Sequence, residues 1–137
     1  LYIVAWWSAL VGAVAAATGA GPAVTMLSLW LAARATVFHL ITTVREMCDH
    51  HGLAPGGVFN FTRDIKASGL LSVLIHPRNN AYHLTHHLLP AVPYYRLPEA
   101  QRLFAALPEY QSRAHVCHTY FSGRARVVQA WQREPSR

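Results

Sequence analysis

Of the 12 basic and 6 acidic residues in this 137-residue chain, only Arg34 falls within the first 44 positions. A stretch so poor in charge has few folded options, because it must be covered by other protein or by lipid. Residues 1–19 (LYIVAWWSALVGAVAAATG) carry no charge. At about 1.5 Å per residue they reach most of the way across a hydrocarbon core of about 30 Å. Gly19-Ala20-Gly21-Pro22 is a breaker cluster, and Pro22 suits the first turn of a following helix. A second apolar stretch runs from Ala23 to Val44, interrupted by Arg34 and His39. The expectation is a membrane helical hairpin over residues 1–44. Trp6, Trp7 and Trp30 favour it over the alternative, a buried hairpin in a soluble bundle.

The remaining residues, 45–137, form a polar region with the other 11 basic and all 6 acidic side chains. Arg45, Arg63, Lys66 and Arg78 follow the hairpin while its turn has no basic residue, so the positive-inside rule predicts a cytoplasmic polar half. That sidedness explains the net charge of +6 better than a polyanion partner does, and no nucleic-acid motif or Gly-rich phosphate loop is present. The composition excludes disorder and a disulfide scaffold. Cys48 and Cys117 fit neither a framework nor a CxxC pattern. The chain opens on Leu1 inside an apolar run, without the basic n-region of a signal peptide. It therefore reads as the C-terminal part of a longer protein.

Along the polar half, the helical pattern persists to about His51 and breaks at Gly52, Pro55, Gly56 and Gly57. Residues 58–64 read as a loop or short extended piece, 66–75 as a short helix and 82–89 as a helix stopped by Pro90. Residues 90–98 are irregular. Pro98 opens a helix to about Leu107 with Glu99 in its first turn. After Tyr110 comes a tail carrying Arg113, Arg124, Arg126 and Arg133, frayed at its end. The fold class predicted is all-α.

Nine histidines are present, and His83, His86 and His87 form H-x-x-H-H. On a helix these positions lie within one turn, so three imidazoles can converge on a small volume. Neutral imidazole is a good ligand for iron, copper, zinc and nickel. His39, Thr43, Glu46 and His50 form one stripe of the second apolar helix, and a polar stripe on such a helix faces a protein interior or a functional cavity. His50 is the ligand candidate there, with Glu46 one turn back, whereas His39 reads better as a satisfied core histidine. His51 points away to solvent. His76, His115 and His118 read as structural or surface residues outside the cluster.

The segments Arg45-Glu46-Met47-Cys48-Asp49-His50-His51-Gly52, Asn60-Phe61-Thr62-Arg63 and Pro77 to Pro98 resemble the C-terminal region of the membrane fatty acid desaturase superfamily. The core of the likeness is N-x-x-Y-H-L-x-H-H-L-x-P followed by P-x-Y-x-L-P, within a match over roughly residues 23–107. Asp49-His50 stands where Glu-His is commoner. The resemblance implies a four-helix membrane stem, of which residues 1–44 are the second half. It also implies a cytoplasmic cap holding two non-haem irons that use O₂ as co-substrate. His83, His86 and His87 correspond to the third histidine box and His50 to the additional ligand. Glu46, Asp49 and Asn80 are candidates to hold the imidazoles in register. The first two boxes lie upstream of these residues, so the chain alone is expected to be inactive. The implied partners are a lipid acyl substrate and an electron donor of ferredoxin or cytochrome b5 type, with no nucleic acid. Two rivals are a hydroxylase or ketolase of the same superfamily and a non-enzymatic membrane metal- or haem-binding module.

Overall fold

Helices α1 (Tyr2–Thr18) and α2 (Ala20–Ala33) meet at Gly19, whose φ of 92° only glycine adopts without strain. The Gly19 N–H closes α1 on the Ala15 carbonyl at 2.9 Å. Trp7 and Trp30 pack with ring centroids 4.2 Å apart. In this unit, Leu1–Leu40, only Ala23 is buried, while Ile3, Val4, Trp6, Val24 and Leu29 stand exposed. The structure, a computed structural model, describes residues 1–132. Arg133 and the frayed end expected around it lie outside the described residues.

A π turn at Arg34–Phe38 carries α2 into α3 (His39–His50). Thr36 Oγ1 donates to the Ala32 carbonyl at 2.7 Å there, a back-bond that competes with the regular ladder. The Arg34 guanidinium lies 4.4 Å from the Phe38 ring centre and 5.8 Å from that of Trp30. Ala20–His50 spans 31 residues and is, among the described residues, the one helix long and apolar enough to cross a membrane by length and composition.

The second unit, from Ile41 on, is organised around residues 62–65, all fully buried. Strand β1 (Asp64–Ile65) pairs in parallel with β2 (Val116–Cys117). On its other side the Ile65 N–H bonds the Ala81 carbonyl at 2.8 Å. Cys48, Ile65, Ile75, Ala81, Cys117, Tyr120 and Val127 form the core. Around it lie α4 (Val58–Phe61), α5 (Leu70–Ile75), α6 (His83–Leu88), α7 (Leu97–Phe104), α8 (Pro108–Arg113) and α9 (Val127–Ala130).

The molecule is mostly helical, and several expectations need correction. The short parallel pair departs from an all-α fold. Residues 58–61 are helical, not extended. The helix expected over 66–75 shrinks to Leu70–Ile75, because Lys66 spends its N–H on the Cys117 carbonyl across the strand pair. Helix α7 stops at Phe104, Leu107 turns extended before Pro108, and that proline opens α8. Residues 116–130 are no loose tail, since Cys117, Tyr120 and Val127 are core.

Candidate metal centre

Two elements far apart in sequence carry the candidate ligands. The last turn of α3 presents Glu46, Asp49 and His50, and Gly52 ends that helix at a φ of 75°. A side chain at Gly52 would meet the Ala130 carbonyl oxygen at 2.4 Å, so glycine lets the C-terminal segment close on α3. Trp131 Nε1 donates to the Met47 carbonyl at 3.0 Å from that segment.

Helix α6 has six residues, too few to be stable on local propensity. Its amide donors are met from outside. The Leu84 N–H bonds the Arg63 carbonyl at 3.2 Å, and the Thr85 N–H bonds Asp64 Oδ1 at 3.0 Å. Asp64 Oδ2 accepts from Thr85 Oγ1 at 2.5 Å and from the Tyr110 hydroxyl at 2.6 Å. Burial pushes the Asp64 pKa up, and these donors oppose that rise without cancelling it. Leu84 and Thr85 thus anchor the buried face of α6. The fully buried Arg63 links both elements, because its Nη2 also donates to the His51 carbonyl.

On this scaffold His50, His83 and His87 bring one nitrogen each to within 4.8 Å of one another. His83 Nε2 lies 3.1 Å from His50 Nε2 and 3.1 Å from His87 Nε2. The His50 Nδ1–H donates to the Phe61 carbonyl at 2.8 Å, which leaves its Nε2 as a lone pair facing the cluster. Burial pushes the His83 pKa down to about 4; Asp49 opposes this, and His87 and His50 add to it. The His87 pKa is also lowered, by burial first and then by its histidine neighbours. His83 is therefore a neutral imidazole near pH 7, the form that ligates metal.

The other sequence candidates fall differently. The His86 ring lies 6.2 Å from that of His83 and 5.7 Å from that of His87, outside the three-nitrogen group. Glu46 is exposed, and its Oε2 lies 4.0 Å from His50 Nε2. Asp49 is buried and accepts from His76 Nε2–H at 3.0 Å. Asn80 is half-buried in the turn before α6 and makes no side-chain hydrogen bond among the described residues. His39 is exposed, as is His51, which packs edge-on against Trp131. His76, assigned to the structural or surface class from sequence, is a core residue. The roles of Phe61, Arg63, Asp64 and Tyr110 carried no sequence signal of their own. Two of them act through backbone carbonyls, and the Thr62-Arg63-Asp64 run reads locally as loop.

The model of the family described as "Fatty acid desaturase" matches residues 1–119. The chain belongs to this family. It is 26% identical over 87 residues to dihydrorhizobitoxine desaturase of Bradyrhizobium elkanii, covering 62% of this chain and 25% of that protein. The chain thus spans about a quarter of the length of this curated relative. No solved structure matches significantly. Desaturases of this family are membrane-associated and generally di-iron, which suggests oxidoreductase chemistry and asks whether the residues here fit a metal. They do. Lone pairs of neutral imidazoles repel at 3.1 Å unless a proton or cation lies between them. Metal–imidazole bonds of about 2.0–2.1 Å to a shared ion bring neighbouring nitrogens to about that separation. The buried His83 Nδ1 has no hydrogen-bond partner among the described residues, which leaves it available to carry the proton when Nε2 is a ligand.

Proposed function

We propose that this chain supplies the third-box part of a histidine-ligated, non-haem di-iron centre in an O₂-dependent fatty acid desaturase. His50, His83, His86 and His87 are its metal ligands here. The observation that carries this reading is the convergence of His50, 33 positions upstream, onto the nitrogens of His83 and His87. His50, His83 and His87 suit one ion, and His86, turned away from that group, suits a second. When bound, the iron pair supplies the oxidising power to remove hydrogen from an unactivated C–H bond, which side chains lack. The chain's own residues hold the imidazoles neutral and oriented, through Phe61, Asp64 and Arg63.

Residues 1–44 serve in this reading as the second half of a four-helix membrane stem, with residues 45–137 as a cytoplasmic cap. An acyl chain enters from the bilayer, and the basic excess of the cap steers an acidic electron donor of ferredoxin or cytochrome b5 type. Four ligands do not complete a two-iron site, so the chain alone is inactive. The test uses the full-length protein. The His86→Ala variant is expected to lose bound iron by metal analysis, and lipid profiling of cells expressing the intact gene is expected to show a new double bond. Unchanged iron in the variant removes His86 from the ligand set; a new hydroxyl or keto group instead identifies the hydroxylase or ketolase reaction.

A further inference from the structure

One apolar side chain stands against the histidine cluster, and its ring has so far been given no task. Phe61 ends the four-residue helix α4, and the fully buried run 62–65 follows it directly, so its backbone is tied down from that side. Its carbonyl accepts the His50 Nδ1–H at 2.8 Å. Its phenyl ring reaches two of the three grouped imidazoles. It lies parallel to the His50 ring, with centroids 5.7 Å apart and 10° between the planes. It stands nearly perpendicular to the His87 ring, at 5.2 Å and 76°.

These are the offset-stacked and T-shaped arrangements that aromatic pairs prefer. Together they fix an angle. A plane parallel to His50 and nearly perpendicular to His87 requires the two imidazoles to be nearly perpendicular to each other. They are: the His50 and His87 planes cross at 74°, with centroids 6.2 Å apart. The hydrogen bond to the Phe61 carbonyl cannot set this angle, because one N–H···O contact fixes the tautomer but leaves the ring free to rotate about the bond. The stacked phenyl ring blocks that rotation. Phenylalanine has no donor, acceptor or metal-binding atom, so beside the ligands its ring contributes shape and the exclusion of water.

We infer that the Phe61 side chain is a positioning residue for the candidate metal centre, a wedge that sets the angle between the His50 and His87 rings and so aims both Nε2 atoms at one ion. This rests on the ligand reading proposed above. The nitrogen lone pair lies in the imidazole plane, so an ion shared by two histidines constrains both ring orientations. A working site holds its ligands to within about 10–20° of the productive geometry. His50 comes from α3 and His87 from α6. Phe61 belongs to neither helix and touches a ring from each.

The test is an optical titration of the metal-free full-length protein with Co(II), with thermal melting of the same samples. The backbone carbonyl survives every substitution, so differences among variants at this position report the ring. Phe61→Leu keeps apolar bulk and loses the plane; it is expected to weaken Co(II) binding about 10-fold and to shift the visible bands. Phe61→Ala is expected to weaken it further, towards about 100-fold. Phe61→Tyr keeps the ring and is expected to retain the parent's affinity and bands. If Phe61→Leu binds Co(II) with the parent's affinity and bands, whatever its melting temperature, the ring only fills space and the inference fails. If Phe61→Ala does not fold, the Leu and Tyr variants decide, and equal losses in the two overturn the proposal. If the parent protein binds no Co(II), the ligand reading itself falls, an outcome distinct from the loss of the wedge alone.

Discussion

In residues 1–40 the one buried side chain is Ala23, whereas residues 62–65 are all buried although three of the four are polar. The first segment exposes Ile3, Val4, Trp6, Val24 and Leu29, carries Arg34 as its one Lys, Arg, Asp or Glu, and turns the hydroxyls of Thr18, Thr25 and Thr36 back onto its own helix carbonyls. The second encloses Thr62, Arg63 and Asp64. Arg63 bonds the His51 carbonyl just past α3 and Asp64 takes hydroxyls from Thr85 on α6 and Tyr110 on α8, while the Thr62 hydroxyl finds no partner among the described residues. Burial and hydropathy run in opposite directions in the two units. Apolar side chains left outside call for an apolar environment. Burying a charged side chain is costly unless it is hydrogen-bonded, and the bonds that offset this cost at Arg63 and Asp64 also fix their position. The difference teaches where the chemistry resides. The apolar unit offers a surface, and the polar one holds imidazoles at fixed separations.

The largest effect expected from breaking this contrast is at Asp64. Asp64→Ala leaves the Tyr110 hydroxyl, the Thr85 hydroxyl and the Thr85 N–H without their acceptor. The expected loss is about 3 kcal/mol or more, measured by denaturant unfolding in detergent. Burial also raises the Asp64 pKa, so the folded state keeps this proton to higher pH than the unfolded chain does. The stability linked to it is complete below the ordinary carboxylate range and is lost as pH rises through the raised folded value. Melting curves from about pH 4 to about pH 8 should show that decline, and Asp64→Asn should remove it. Parallel pH profiles for parent and variant would count against a buried carboxylate at this position.

A smaller effect sharpens the apolar side of the comparison. Leu29 is 66% exposed, and on a water-facing surface its replacement costs within about 0.5 kcal/mol. If the α2 surface faces lipid, Leu29→Arg raises the membrane-insertion free energy by about 2.5–3.5 kcal/mol in a translocon assay. Insertion as efficient as the parent's would mean that protein or water covers this face. The smallest expected effect is at Arg34, the one charge of the unit, which stacks on Phe38. Arg34→Gln should lower stability by about 0.5–1 kcal/mol, read as a small drop in melting temperature.

Much of this organisation was legible in the residues themselves. The 19-residue uncharged run and the Gly19 break forecast α1 and its end, and H-x-x-H-H with its flanking prolines located α6 to within a residue at each end. The four-residue helix at 58–61 and the strand at 64–65 were not legible, because segments that short are set by their partners. Residues 116–130 looked like a basic tail because Cys117, Tyr120 and Val127 are isolated apolar positions. They become core through pairing with residues 64–65 and packing under α3.

By itself the sequence determined the two contrasting regions, the helix that carries the H-x-x-H-H motif and the family to which the chain belongs. Each of these follows from local order along the chain: runs of apolar side chains, spacing within one helical turn, and a long contiguous motif. Only the tertiary structure decided that His50 meets His83 and His87 while His86 turns away, and that His76 is a buried partner of Asp49. Those choices depend on where a carbonyl of Phe61, a carboxylate of Asp64 and a guanidinium of Arg63 come to rest. Hydrogen bonds between segments tens of residues apart have no period along the sequence, so they emerge only when the chain has folded around them.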